Sequence, residues 1–157
     1  MDFNINPFTL FDSDWSLLTA GDMDSFNSMT VSWGSLGTLW GKPVATVYVK
    51  PARYTHGFMD DSDYFTLGFF DEKYRPALML MGTKSGRDTD KAAASGLTPV
   101  PVQKAVTYME AHTTLLCRKL YRQDLDLSSV PPEAMLHYRT EAPHTVYIGE
   151  VVDIIKK

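Results

Sequence analysis

Asn27-Ser28-Met29-Thr30-Val31-Ser32-Trp33-Gly34-Ser35-Leu36-Gly37 is the stretch on which the reading of this chain turns. Residues 27–33 alternate with period 2, placing Met29, Val31 and Trp33 on one face and Ser28, Thr30 and Ser32 on the other. That is the pattern of a β-strand with one apolar face. Gly34, Gly37 and Gly41 then space out a loop, and residues 42–50 form a β-branched run that ends in Pro51-Ala52-Arg53-Tyr54-Thr55. Two strands, a glycine-spaced loop and an Arg/Tyr/Thr corner therefore sit close together in the chain. Such an arrangement suits a flat aromatic cofactor with a phosphate tail, held by backbone groups, hydroxyls and a guanidinium.

Outward from this stretch the signals remain those of strands. Residues 15–19 read as a short apolar strand closed by Ala20-Gly21-Asp22, and residues 44–49 alternate between Pro43 and Pro51, where prolines need no ladder donor. Residues 64–70, 113–121 and 146–155 complete the set of longer strands, and residues 98–101 are extended or turn. Helices are expected to be short: one turn over residues 55–59 with Thr55 as N-cap, and one over residues 73–81 with Pro76 in its first turn. A third is expected at residues 90–94, with a capping box at Ser85-Gly86-Arg87-Asp88 ahead of it and Gly96 as its stop. Residues 128–141, with Pro131-Pro132, read as a loop or a short helix. Six or seven strands without long helices between them exclude a parallel α/β sheet. The prediction is a mainly β protein, an antiparallel Greek-key split β-barrel with a few short flanking helices. The domain division is an N-terminal arm over residues 1–12 and one domain over residues 13–157.

Composition narrows the function classes. A chain of 157 residues with 44% hydrophobic and 22% charged residues is an ordinary globular domain in size and make-up. A net charge of −4 argues against a nucleic-acid footprint. The chain contains no long apolar run of the kind that spans a membrane, and Met1-Asp2-Phe3-Asn4 lacks the order of a signal peptide. Cys117 is the single cysteine, so no intrachain disulfide can form, and the expected compartment is the cytoplasm. His56, His112 and His137 show no ligand spacing with each other or with Cys117, and no metal is predicted.

Candidate site residues each have a plain reading beside the functional one. Asn27, Met29, Thr30, Ser32 and Trp33 offer hydroxyls and backbone groups to a heterocycle edge, or form an amphipathic strand with a solvated Ser/Thr face. Arg53, Tyr54 and Thr55 sit where a strand gives way to a helical turn, a natural phosphate site, or they are a surface arginine and a capping threonine. Lys84, Ser85 and Arg87 form a second anion-friendly cluster, or a cap flanked by solvated bases. His144 opens the last strand, where it could touch a cofactor edge or simply be exposed. The glycine spacing is not a dinucleotide fingerprint, and no P-loop, nucleophile elbow or H-E-x-x-H is present.

In order along the chain, Asn27 to Gly34, Lys42-Pro43-Val44-Ala45, Arg53-Tyr54-Thr55, Gly82 to Lys91, Cys117 to Leu125 and Tyr147 to Val151 resemble the flavin reductase-like, FMN-binding split-barrel family. The resemblance covers roughly residues 13–156. It implies a homodimer with one FMN per subunit near the interface, and hydride or electron transfer through that flavin. The strand over residues 27–33 would line the isoalloxazine. Arg53 and Thr55, with Lys84, Ser85 and Arg87, would hold the phosphate, and His144 would lie near the flavin. Pro143 stands where the family often has an acidic or aromatic residue, which bears on nicotinamide use. The expected activity is that of an NAD(P)H:flavin reductase-like oxidoreductase. A flavoredoxin-type electron carrier serving a redox protein, and a haem-binding or interaction module without flavin, are the alternatives.

Overall fold

The computed structural model describes residues 6–157. The first five residues of the expected N-terminal arm lie outside the described part. In chain order the elements are α1 (Thr9–Asp12), β1 (Ser16–Gly21), β2 (Phe26–Val31), β3 (Gly34–Leu39), β4 (Lys42–Val49), α2 (Tyr54–Asp61) and β5 (Tyr64–Phe69). They continue with α3 (Arg75–Thr83), α4 (Lys91–Ser95), β6 (Pro99–Val102), β7 (Ala105–Tyr108), β8 (Thr113–Asp124) and β9 (Thr145–Lys156). Short 3-10 turns at Glu72–Tyr74, Leu127–Ser129 and Met135–Tyr138 fill the longer links.

Seven strands form one antiparallel sheet in the order β2-β1-β5-β8-β9-β4-β3, and β6-β7 is a separate hairpin. The two edges, β2 and β3, are consecutive in sequence yet not paired, so the barrel is split at that point. This is the mainly β split barrel predicted. Two strands differ from expectation. The glycine-spaced stretch after Trp33 is strand β3, paired with β4 from Gly34↔Val47 to Leu39↔Lys42. The glycine signal belongs to the turn beyond it, where Trp40 (φ 52°) and Gly41 (φ 71°) both take left-handed backbone, the two-residue hairpin that suits the twist of paired strands. Strand β7 was not anticipated, because Ala105-Val106-Thr107-Tyr108 is too short to show a period.

The helices also shift. Arg53, not Thr55, is the N-cap of α2, and it caps without a side-chain bond, while Thr55 lies inside the first turn. Ser85 does not cap α4. Asp90 does, its carboxylate accepting the Ala93 N–H at 3.1 Å, and Gly96 ends the helix at φ 74°. Pro76 falls in the first turn of α3, as its missing N–H requires.

Two apolar clusters hold the barrel and its cover. Inside the barrel pack Leu18, Met29, Val47, Phe65, Leu67 and Tyr147, with Leu10 and Phe11 of α1 closing one end. On the outer face of β1, Leu17 packs with Leu78 and Met81 of α3, Leu97 and Tyr108. Each fully buried side chain of this size contributes roughly 1.5–3 kcal/mol. Cys117 is buried in the barrel and behaves as a small apolar residue, its thiol pushed up by burial. No helix of the described residues is long and apolar enough to cross a membrane, and among them no group of three or more His, Cys, Asp or Glu is placed to hold a metal ion.

Candidate functional site

The C-terminal end of α3 gathers the site. A helix leaves its last carbonyls without intrahelical donors and with partial negative charge. Here two of them take side-chain donors, Met81 from Lys91 Nζ at 2.9 Å and Gly82 from Arg53 Nη1 at 3.0 Å, while Thr30 of β2 donates further back along the helix, to the Leu78 carbonyl. The chain beyond α3 then folds back over the Arg53 corner. Gly86 presses against Asn27 and Tyr54 so closely that a Cβ there would lie 2.1 Å from Asn27 Oδ1 and 2.8 Å from Tyr54 Cδ1. Asn27 Nδ2 donates to Thr55 Oγ1 at 2.8 Å, Arg87 Nη1 donates to the Ala52 carbonyl at 3.1 Å, and the Arg87 guanidinium lies 5.0 Å from the Tyr54 ring centre. Asn27, Arg53, Tyr54, Thr55, Ser85 and Arg87, read from three separate parts of the sequence, thus come together. Ser85 keeps its hydroxyl on the Arg87 N–H at 3.2 Å. Lys84 does not join: it is exposed, and what it supplies is the N–H that closes α3 on Leu80.

Lys91 is the residue that sequence reasoning passed over. It is 5% exposed. Burial, and next the positive charge of Arg53, pull its ammonium down to about 8, and burial also lowers Arg53. Bonded to the adjacent carbonyls of Met81 and Gly82, the two cations are held close together in a partly dry place. Among the described residues neither has a carboxylate within 4.0 Å. Each spends one donor on a carbonyl of α3, leaving the rest free. Such a pair lacks only an anion. Its sequence signal was faint, because a lysine at the head of Lys91-Ala92-Ala93-Ala94 looks like a solvated helix residue.

A second cleft, of ≈ 230 Å³, lies along the end of β2 and is lined by Met29, Thr30, Val31, Ser32, Trp33, Tyr48, Lys50 and His144. Strand β2 ends at Val31, so Ser32 and Trp33 belong to the link between the two sheet edges. The face assignments change accordingly. Met29 and Val31 point into the barrel, whereas Trp33 is 42% exposed. The Ser/Thr face is neither solvated nor open: Ser28 Oγ meets Thr19 Oγ1 and Tyr108 Oη, each at 2.8 Å, and Thr30 is covered by α3.

His144 is 7% exposed and its ring stands 5.0 Å from Trp33, while His137 packs on the same indole at 5.2 Å. Tyr138 Oη bonds His144 Nδ1 at 2.9 Å. Burial, then Lys50 and His137, drive the His144 imidazole down to about 4, so it is neutral at physiological pH. Lys50 forms an ion pair with Glu141. The segment around Met135–Tyr138 therefore covers the Trp33 and His144 rings, a role that its Pro-Pro start and lack of period concealed.

A polar network ties α2 to the end of β8 and the head of β9. Tyr147 Oη donates to Asp60 Oδ1 at 2.6 Å, Arg122 Nε lies 3.2 Å from the same oxygen, and His56 Nδ1 is 3.5 Å from Asp60 Oδ2. Thr145 Oγ1 donates to Asp124 at 2.6 Å, so the 2.8 Å contact with His56 Nε2 has the imidazole as donor. Burial raises the Asp60 carboxyl, but the bonds from Tyr147 and Arg122 outweigh it and hold the group below its ordinary 3.8. A depressed carboxylate stabilises the fold above its unfolded pKa and loses that contribution as pH falls through the folded value. Stability should thus fall in acid, below about pH 4. Asp60→Asn should flatten that part of the curve, measured by urea unfolding across the acid range; an unchanged profile would remove Asp60 from the network's energetics.

Comparison with known proteins adds the following. A family described as "Flavin reductase like domain" matches residues 9–157. No curated protein sequence matches the chain. Among solved structures, an FMN-binding protein from Thermus thermophilus with bound 1-cyclohex-2-enone superposes with a TM-score of 0.74 at 16% identity, covering 99% of this chain and 78% of that one. Flavoredoxin of Desulfovibrio vulgaris (Miyazaki F) gives 0.73 at 22%, covering 100% and 76%. Flavoredoxin from Methanosarcina acetivorans gives 0.75 at 18%, covering 100% and 74%. At these identities the likeness is one of fold.

Proposed function

Because the chain belongs to the flavin reductase-like domain family, matched from residue 9 to residue 157, we propose that it is an FMN-binding flavoprotein oxidoreductase. The observation that carries this reading is the Arg53–Lys91 pair, two cations without a carboxylate partner among the described residues, at a loop where Gly86 admits no side chain. That donor set fits a phosphate monoester dianion. Arg53 and Lys91 would hold the phosphate, with Arg87 and the backbone around Ser85 at its rim. Asn27 and Thr55, already bonded to each other, would present their remaining polar capacity to the ribityl chain.

When bound, the flavin supplies the hydride or electron chemistry. The chain's own part is to orient and to exclude water. Met29, Thr30 and Ser32 line the cleft where a ring edge would lie. Neutral His144, braced by Tyr138, offers a hydrogen bond without adding charge, and Lys50 with Glu141 keeps the cleft close to neutral. The exposed indoles of Trp33 and Trp40 on either side of edge strand β3 support a homodimer that covers this side of the barrel. The proposed setting is the cytoplasm, where Cys117 stays reduced.

The test is reconstitution followed by reduction. Purified protein is expected to take up FMN stoichiometrically, and stopped-flow mixing with NADH or NADPH should bleach the flavin absorbance. Uptake of FMN with no bleaching by either nucleotide would replace the reductase with an electron carrier, the reading suggested by Pro143 beside His144. A protein that takes up no FMN would overturn the proposal.

A further inference from the structure

His144 has one ring nitrogen engaged and one free. The residue stands just ahead of β9, where its carbonyl accepts the Leu125 N–H at 2.9 Å, so its backbone is tied to the end of β8. Its side chain is 93% removed from solvent with the residue at 7% exposure, tilted 45° against the Trp33 indole at 5.0 Å and met edge-on by the Tyr138 ring at 5.6 Å. Tyr138 Oη takes Nδ1 at 2.9 Å. Among the described residues neither that hydroxyl nor Nε2 has another partner. Nε2 is nonetheless not sealed in, since Ser16 Oγ is the only fully buried side-chain nitrogen or oxygen among them left without a bond. His144 lines the cleft of ≈ 230 Å³ with Trp33, Tyr48 and Lys50, and Nε2 is the ring nitrogen left to serve it.

The proton between Tyr138 and His144 has two places to sit. If Nδ1–H donated, the phenol proton would find no acceptor among the described residues, and Nε2 would be a bare acceptor. If the phenol donates, both groups are satisfied. A phenol is the stronger acid of the two neutral donors, and an imidazole nitrogen accepts better than a phenol oxygen. Burial holds the Tyr138 hydroxyl above its ordinary 10, so it keeps its proton. The bond made by one ring nitrogen then decides what the other does. We infer that Tyr138 is a positioning residue: its hydroxyl locks His144 as the Nε2–H tautomer, so that the cleft offers a donor and recognises the acceptor edge of a flat ring, a carbonyl oxygen or a bare nitrogen, in preference to an N–H. The inference rests on the flavin reading above. An isoalloxazine has both kinds of edge, since its two carbonyls and its bare nitrogens accept while its imide N–H donates. Tyr138 thus helps to choose which edge lies against His144. It does so from the turn at Met135–Tyr138, which the Lys50–Glu141 ion pair and the packing of His137 on Trp33 hold in place.

Proton–nitrogen correlation spectra of isotope-labelled, flavin-free protein at neutral pH read the tautomer directly. Wild-type His144 is expected to show a bare Nδ1 and a protonated Nε2. Tyr138→Phe removes one oxygen and keeps the ring. It should give a mixture of tautomers and an imidazole that begins to protonate at higher pH, because the lost bond favoured the neutral ring, while Lys50, Tyr48, His137 and Glu141 stay around it. Fluorescence titration should show FMN weakened by about twofold to tenfold in the same variant, the range for one neutral hydrogen bond. His144→Gln places an amide N–H near the position of Nε2 and has no tautomer to choose. In that background Tyr138→Phe should change FMN affinity by less than about twofold. A wild-type Nδ1–H tautomer would overturn the inference, as would a tautomer indifferent to Tyr138→Phe. Equal losses of FMN affinity in the two backgrounds would overturn it too, since Tyr138 would then act without His144. If no protein took up FMN while the tautomer still depended on Tyr138, the flavin reading would fall and the hold of Tyr138 on His144 would be upheld.

Discussion

Lys91→Met is expected to weaken FMN binding tenfold to a hundredfold at neutral pH, about 1.5–3 kcal/mol for a lost charged hydrogen bond. Arg53→Ala should weaken it by a similar factor. The lysine adds a signature that the arginine cannot. In the free protein its ammonium is held at about 8 by burial and by Arg53. A bound phosphate dianion favours the charged form and raises that value. Above about pH 8 binding must therefore take up a proton, and affinity should fall by up to tenfold per pH unit; below about pH 6 the phosphate itself protonates and affinity falls again. Lys91→Met should abolish the alkaline limb and keep the acid one. Its effect on the flavin-free fold separates binding from mere capping. A lysine depressed in the native state opposes folding at neutral pH, and this strain relaxes as the group deprotonates. Removing it should leave the apo-protein no less stable despite the lost bond to Met81. Flavin fluorescence titrations from about pH 5.5 to about 9.5, with thermal melts of the apo-variants, read both effects. Loss of apo stability with unchanged pH dependence would make Lys91 a helix cap and nothing more.

Within residues 27–55 the two strands that carry a period were legible, because such strands declare themselves locally. Alternation marks β2 and β4, and the prolines at 43 and 51 bound the latter within a residue or so. Tertiary neighbours set what alternation cannot express. Ser28 belongs to the polar face by pattern, yet Tyr108 and Thr19 close over it and supply its hydrogen bonds. Gly34 to Leu39 lacked a strand pattern because two of its six residues are glycine and its only large apolar residues, Leu36 and Leu39, stand three apart instead of two. The site followed the same division. Arg53, Tyr54 and Thr55 were singled out because they end a strand that could be read. Lys91, Tyr138 and Lys50 were not, since each becomes significant through a partner more than five residues or a whole strand away: Arg53, His144 and Glu141. Gly86 carried no signal at all beyond being glycine. Only the fold places it against Asn27 and Tyr54.

Phe65→Ala should destabilise the protein by about 3–5 kcal/mol, the largest effect expected of any single core truncation here. The ring is 1% exposed and occupies the centre of the barrel cluster. It reaches across β8 to β9, where a Cβ on Gly149 would lie 2.6 Å and 2.7 Å from its Cε1 and Cζ atoms. Such proximity between alternate strands requires the sheet to curl, and β8 supplies the curl through irregular register at Leu116/Cys117 and Lys119/Tyr121. Gly149 is thus a glycine because of Phe65. Gly149→Ala alone should cost about 1–3 kcal/mol through overpacking. The two changes should then couple: with the ring gone, the added methyl meets chiefly Cys117 Cβ at 2.9 Å, and the double variant should be less destabilised than the sum by about 1 kcal/mol or more. Chemical unfolding of the four proteins measures the cycle. Strict additivity would mean that ring and glycine do not meet, and that some other contact holds β9, with His144 at its head, in the curvature on which the cleft depends.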